Sequence, residues 1–497
     1  MSATRPPAAD ADATTPPPEH TAALATVVVL CFGGLTASLM QTLVLPIQGQ
    51  LPLLLHTSAA NASWVITATL LAAAVAMPVA GRLADMFGKQ PVLVVSAGVL
   101  LLGSAVCALA DSLLPMLVGR TLQGLAMGFI PVGISLMREV TPPSMTSTAI
   151  ASMSATLGVG GAIGLPLSAW VAQDFDWHTL FWMSAVLALL VTLAVVLVVP
   201  RVRDAVGGRL DVVGAVGLAI GLVATLVAVS KGNTWGWDQP RTIGLLAGGV
   251  VVLVLWGFYE LRVEEPLCDL RVTAQAPILL TNLAAVAVGF GMMAQAVVVP
   301  QLLQMPGATG YGLGQTMLQA GLWMAPGGLM MLVFAPVSSR LMRTAGAKRT
   351  LMLGAAVLSV GYVVAAFLMH APWQLLVASI VCSAGVGIGY AAMPTLILES
   401  VQPREAASAV GINALMRSVG TTVSAAVMAM LLTGSTMSLG PLQVPTEGAF
   451  RLCFVVGAVA ALVGVLIAAA VPRARRVQDG VPATAPRDAS EAVAQNA

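Results

Sequence analysis

The chain has 497 residues, of which 58% are apolar and only 9% charged, with a formal net charge of +2 and a mean hydropathy of +0.91. A soluble protein of this length cannot cover its surface with so little charge, so the composition excludes a soluble globular fold. A charge of +2 gives no electrostatic footprint for nucleic acid, and none is expected as a partner.

Residues 1–22 are rich in Ala, Pro, Thr and Asp and read as a disordered tail. They lack the basic start, short apolar core and cleavage site of a signal peptide. Fourteen apolar runs follow, at 23–46, 62–80, 91–110, 113–137, 145–170, 179–199, 212–230, 242–259, 277–303, 315–337, 350–369, 374–398, 407–432 and 449–471. Crossing a bilayer takes ~20 apolar residues in a helix. The runs show no period-2 alternation, so they predict helices rather than barrel strands. The expected fold is an all-α polytopic membrane protein. The tail 472–497 returns to Arg, Ala and Pro.

Basic residues set the orientation. With the N-terminus in the cytoplasm, eighteen of the 23 Lys and Arg fall on that side, among them Arg82, Lys89, Arg138, Arg201, Arg203, Arg209, Arg340, Arg343, Lys348, Arg349, Arg473, Arg475 and Arg476. Lys231 and Arg241 fall in outer loops, and Arg120, Arg417 and Arg451 within spans. Both termini are therefore expected in the cytoplasm, with the chain in the inner (plasma) membrane. Trp64, Trp170, Trp177, Trp182, Trp235, Trp237 and Trp373 sit near outer ends, as an interfacial belt does.

An internal repeat joins the ends of the chain. Gly81-Arg-Leu-Ala-Asp-Met-Phe-Gly-Lys-Gln90 after the second span matches Ser339-Arg-Leu-Met-Arg-Thr-Ala-Gly-Ala-Lys348 after the tenth at Arg82/Arg340, Leu83/Leu341 and Gly88/Gly346. The halves are then 23–199 and 277–471, and 200–276 is a linker carrying two extra spans. Parallel six-helix repeats are the build of one large transporter class.

These motifs resemble the major facilitator superfamily, in its fourteen-helix drug:proton antiporter branch of multidrug exporters, over nearly all of 23–471. Gly81-x-x-x-Asp85-x-x-Gly88-Lys89 is similar to the superfamily's cytoplasmic loop motif, and Arg120-x-x-Gln123-Gly124 to its arginine motif. Gly158, Gly160, Gly161, Gly164 and Pro166 resemble the antiporter glycine-proline motif. Asp211, Trp235-Gly-Trp237 and Pro266-Leu-x-Asp-Leu270 resemble markers of the fourteen-helix branch. The resemblance implies a major facilitator fold of two six-helix bundles plus an inserted helix pair, fourteen transmembrane helices in all. It also implies ion pairs that latch the halves on the cytoplasmic side. Leu165-Pro166 followed by Ala169-Trp170 departs from the usual glycine-proline pattern, and Trp170 is available to plug the gap.

The residues themselves leave alternatives. The 81–90 segment reads as a tight interhelical loop, or as topogenic charge alone. Asp85 either caps a helix N-terminus or pairs with Arg138; Glu139 pairs with Lys89 or Arg82; Glu399 answers Arg340. Arg120 and Arg417 either face a central cavity or bond helix carbonyls and glutamines to fix packing. No Asp or Glu lies deep in a span, and the resembled branch's first-span carboxylate falls on Ala37 or Met40, beside the non-titrating Gln41. Further candidate lining residues are Gln123, Met153, Asn282, Gln295, Gln319, Trp323 and Asn413.

The expected activity is secondary export of hydrophobic or amphiphilic small molecules by alternating access, by proton antiport as the resemblance implies. Neutral or anionic substrates are favoured, and membrane lipids are further partners. A lipid-like metabolite exporter without first-helix coupling is the alternative within transport, and a membrane sensor or scaffold the alternative outside it. The sequence has no phosphate-binding Gly-x-x-x-x-Gly-Lys-Ser/Thr loop and no constellation typical of an enzyme. Five scattered cysteines carry no metal spacing. No cofactor or metal is expected, and a monomer suffices for function.

Overall fold

The computed structural model describes residues 18–45, 47–48, 50–202, 207–439 and 442–472. Residues 1–17 and 473–497, with Arg473, Arg475 and Arg476, lie outside the described residues, as do Pro46 and Arg203, whereas residues 18–22, expected in the tail, already belong to the first helix. Fourteen helices are long and apolar enough to cross a membrane. They are α1 (Pro18–Thr42), α2 (Trp64–Phe87), α3 (Lys89–Ala108), α4 (Leu113–Val140, with a 3-10 turn at Ala126–Gly128), α5 (Pro143–Asp174), α6 (His178–Val198), α7 (Val212–Trp235), α8 (Pro240–Glu260), α9 (Ala276–Gln304), α10 (Met317–Ala345), α11 (Ala347–Phe367), α12 (Pro372–Ser400, interrupted at 390–391), α13 (Ala406–Gly434) and α14 (Glu447–Ala470). A hairpin, β1 (Thr436–Leu439) and β2 (Leu442–Pro445), joins the last two; no run in the sequence announced it.

The starts of these helices are written locally. Pro stands in the first turn of α5, α8, α9 and α12, where its missing N–H removes no helical bond. Asp211 caps α7 by accepting from the Gly214 N–H, and Thr446 caps α14 through Ala449. Two of the marker residues of the sequence are thus caps: Asp211, and Asp269, which accepts from the N–H groups of Arg271 and Val272.

With an even number of crossings, α1 begins and α14 ends on the same side, called here the terminal face. Helices α1–α6 form one bundle and α9–α14 the other. The two share one apolar core that runs from Val27 and Leu30 of α1 to Phe454 of α14. The inserted helix α7 lies against both: Leu218, Leu222 and Leu226 pack with Leu71 and Ala74 of α2 and Leu415 of α13. Helix α8 lies outside it, with Val251, Val254, Leu255 and Phe258 exposed as a lipid-facing surface would be.

Two expectations are corrected here. The segment 81–87 is not a loop: α2 continues through Phe87 and only Gly88 turns, at φ +94°. The polar end of α2 stays helical because α13 covers it. Lys231 does not lie in a loop either. It sits inside α7, 4% exposed.

Candidate functional site

The junction of the halves at the terminal face is built on close backbone approaches of α2 and α13, with Gly411 of α13 as near to the Met77 carbonyl as Gly81 is to that of Ala407. A Cβ at Gly81 would stand 2.4 Å from the Ala407 carbonyl oxygen, so only glycine lets α2 come this near to the start of α13. One turn further, Asp85 reaches the free N–H groups of that helix. Its carboxylate accepts from Ala407 N at 3.0 Å, Ser408 N at 2.8 Å and Ser408 Oγ at 2.8 Å. A carboxylate at a helix N-terminus meets both the unpaired donors and the positive end of the dipole. Of its two sequence alternatives Asp85 thus takes the cap, and the cap spans the two bundles.

Around it, Lys89 pairs with Glu139 within the first bundle, both largely buried. Arg138 stands within electrostatic reach of Glu139 and of Glu399 from α12. Arg340 is exposed at the same face.

The repeat places a second contact opposite the first. Ser339, the mate of Gly81, shares a hydrogen bond with Thr148 of α5 at 2.7 Å. Arg343, the mate of Asp85, donates to Thr148 Oγ1 at 3.3 Å and to Ser339 Oγ at 3.1 Å. Gly88 and Gly346 keep the same turn, φ +94° and +83°. Helices α5 and α10 then stay together toward the far face, where a Cβ at Gly321 would lie 3.5 Å from Pro166 N.

The glycine-proline motif packs inside the first bundle as well as across the halves. Gly160 and Gly164 face Ser38 and Thr42 of α1, while Gly158 faces Met331 of α10. Ser38 donates to the Leu157 carbonyl at 2.9 Å. Trp170 is half-exposed and lies edge-on to Phe175, so it plugs no gap between helices.

The candidate lining residues do not form one group. In the first bundle Arg120 is 1% exposed. Its Nη1 donates to the Met40 carbonyl of α1 at 3.0 Å and to Gln123 Oε1 at 2.7 Å, and its Nε to the Val65 carbonyl of α2 at 3.3 Å. Gln123 passes the network on to Ser104 of α3 at 2.9 Å. This is the packing alternative: a guanidinium whose donors meet carbonyls of neighbouring helices rather than a cavity. Met153 is fully buried beneath Gly34 and Gly133. Gln41 is partly exposed on α1.

In the second bundle Asn413 Nδ2 donates to Asn282 Oδ1 at 2.9 Å, joining α13 to α9. One turn along α13, the Arg417 guanidinium lies over the Tyr390 ring at 4.5 Å, at the break in α12. Arg417 is only half-buried. Tyr390 was not singled out from sequence, although an aromatic beside Gly387 and Gly389 in an otherwise aliphatic run marks a helix break. Gln295 is half-buried on α9. At the far face Trp323 Nε1 donates to Gln315 at 3.1 Å. Gln319 is a correction: it is exposed and closes a capping box with Thr316, so its side chain serves the start of α10.

Two bundles of repeated design, joined by breakable polar contacts at one face and flanked by an inserted pair, define a membrane transporter. The family profile described as Major Facilitator Superfamily matches residues 30–421 and 281–494, and the chain belongs to that superfamily. It is 24% identical to a multidrug resistance protein B homolog of Mycobacterium tuberculosis, over 75% of this chain and 69% of that one. It is 27% identical to the tetracenomycin C resistance and export protein of Streptomyces glaucescens, over 66% and 60%. The first matched relatives are spanned over between 45% and 69% of their own length. In three dimensions it is similar to the crystal structure of the human organic anion transporter MFSD10, with a TM-score of 0.62 at 14% identity, covering 91% of this chain and 100% of that one.

Proposed function

We propose that the protein is a secondary active exporter of hydrophobic or amphiphilic small molecules that works by alternating access in the plasma membrane, as a monomer. The observation that carries this is the Asp85 cap on α13. It joins the two halves through hydrogen bonds alone, so one face closes tightly and still opens. The terminal face is the cytoplasmic one, because the basic residues gather there, and the far face carries the tryptophans. The exporters among its relatives support the direction of transport.

Neutral or anionic substrates are favoured. Arg417 is a half-buried cation within a span of the second bundle, and no carboxylate lies deep among the described helices to answer a cationic drug. Energy comes from an ion gradient, with the proton as the expected ion. The buried Ala37 and Met40 at the place of the branch's first-helix acid favour a second reading: a lipid-like metabolite exporter coupled by another route.

Everted vesicles settle these readings. Uptake of a paired neutral and anionic amphiphile is measured at several imposed pH gradients. Uptake that follows the gradient supports antiport. Uptake indifferent to pH leaves an exporter coupled otherwise, and no uptake of any amphiphile overturns the proposal.

A further inference from the structure

The inserted helix α7 packs on both halves, but its polar contacts divide unequally between them. Near the far face Lys231 is almost fully buried, and its ammonium donates to Ser63 Oγ, the residue just before α2. It also lies 4.7 Å from the centre of the Trp64 ring, and Trp64 meets Trp235 at 6.5 Å. Among the described residues no carboxylate lies within ion-pair distance of it. A buried cation without a counter-ion depends on its remaining partners, here a hydroxyl and a π-face, both from the first half. At the other end of the segment, Gly207 N–H donates to the Met86 carbonyl of α2 at 3.3 Å.

Toward the second half α7 has one hydrogen bond among the described residues, from Asn233 Nδ2 to the Ala426 carbonyl of α13 at 2.8 Å. The acceptor is a helix carbonyl already bonded in its own helix, and the donor is neutral. When the far ends of α2 and α13 shift relative to one another, the Asn233 contact yields before the Lys231 contact does.

We propose that α7–α8 travels with the first half through the transport cycle. Lys231 is the positioning residue that fixes it there, and the Asn233–Ala426 contact opens and closes with the far face. This rests on the alternating-access reading above.

Two cross-links test it in the full-length protein. Ser63→Cys with Lys231→Cys, joined by a short thiol-specific linker, replaces the contact that the substitutions remove; transport should stay above half the unlinked rate. Asn233→Cys with Ala426→Cys, joined the same way, should lower transport more than tenfold, with recovery on reductive release. Arrest by the first link, or indifference to the second, overturns the proposal. Spin labels read the same motion without substrate. Between wild type and Asp85→Asn, the Thr234–Asn61 distance should hold and the Thr234–Thr433 distance should shift. The opposite pattern overturns the proposal whether or not any substrate is carried. Unlinked protein that transports nothing overturns the transport reading, and this inference with it.

Discussion

Asp85 and Ser408 are 323 residues apart in sequence and share two hydrogen bonds of 2.8 Å, one to the Ser408 amide and one to its hydroxyl. Each cycle of a carrier that alternates between faces must break and remake this contact. Asp85→Asn keeps an acceptor for the amides but loses the charge and its interaction with the helix dipole, about 1 kcal/mol. That should shift the closed population roughly fivefold. Asp85→Ala also strands two buried N–H groups, about 3 kcal/mol in all, and should favour the open terminal face more than a hundredfold. Reactivity of a cysteine at Ser408 toward a thiol reagent reads the shift; unchanged reactivity in both variants would remove the latch.

Gly81 gives a steric version of the same test. Gly81→Ala drives a methyl group into the Ala407 carbonyl, which is backbone and cannot turn away. The closed state should lose about 1–3 kcal/mol. Gly161→Ala, three residues after Gly158 on α5, meets nothing within 4 Å and should lie within about 0.5 kcal/mol of wild type. Equal effects of the two substitutions on transport would contradict the close approach of α2 and α13.

The two arginines should separate in their phenotypes. Arg120→Gln removes a charged donor from the carbonyls of Met40 and Val65, and should destabilise the protein by about 3 kcal/mol. The ratio of anionic to neutral substrate transport should not change. Arg417→Gln should lower that ratio about tenfold, with a small loss of stability. Thermal unfolding in detergent and paired vesicle uptake measure both quantities. A selectivity change in Arg120→Gln, with none in Arg417→Gln, would reverse the assignment.

Tyr390→Leu keeps bulk at the α12 break but removes the π-face under Arg417. The loss, roughly 0.5–2 kcal/mol, should weaken anion transport between twofold and thirtyfold through a freed guanidinium. Tyr390→Phe keeps the ring and should leave transport near wild type. A defect in Tyr390→Phe equal to that in Tyr390→Leu would place the function in the hydroxyl instead.

Orientation is testable at two exposed loop positions. Asp238→Cys, in the turn between α7 and α8, should react with an impermeant reagent added outside cells. Glu264→Cys, in the turn after α8, should react only after permeabilisation. The reverse would place both termini outside.

Fourteen spans and the paired repeats were legible because apolar length and loop charge are properties of side chains in sequence order. The partners of Arg120 and Asp85 were not. Both bond to backbone groups, the carbonyls of Met40 and Val65 and the amides of Ala407 and Ser408, and every residue carries those groups alike. The Lys89–Glu139 pair was among the alternatives, since two opposite charges can be matched by eye. The cap at Gln319 has a signal in the sequence, Thr316-x-x-Gln319 before an apolar run. Lys231 was misplaced because a charge near the end of a run reads as its boundary, whereas α7 continues one further turn to Trp235.

The repeat that turns Gly88 and Gly346 alike does not carry its electrostatics across. Where one copy sets a carboxylate on a helix N-terminus, the other sets the Arg343 guanidinium beside the first turns of α5, where the dipole gives a cation no attraction. The likeness of the two copies is thus one of turn geometry and not of charge. The carboxylate-to-amide contact between the halves stands on one seam, where α2 meets α13. Exchanging Asp85 and Arg343 would preserve composition and net charge and still take the capping carboxylate away from the start of α13.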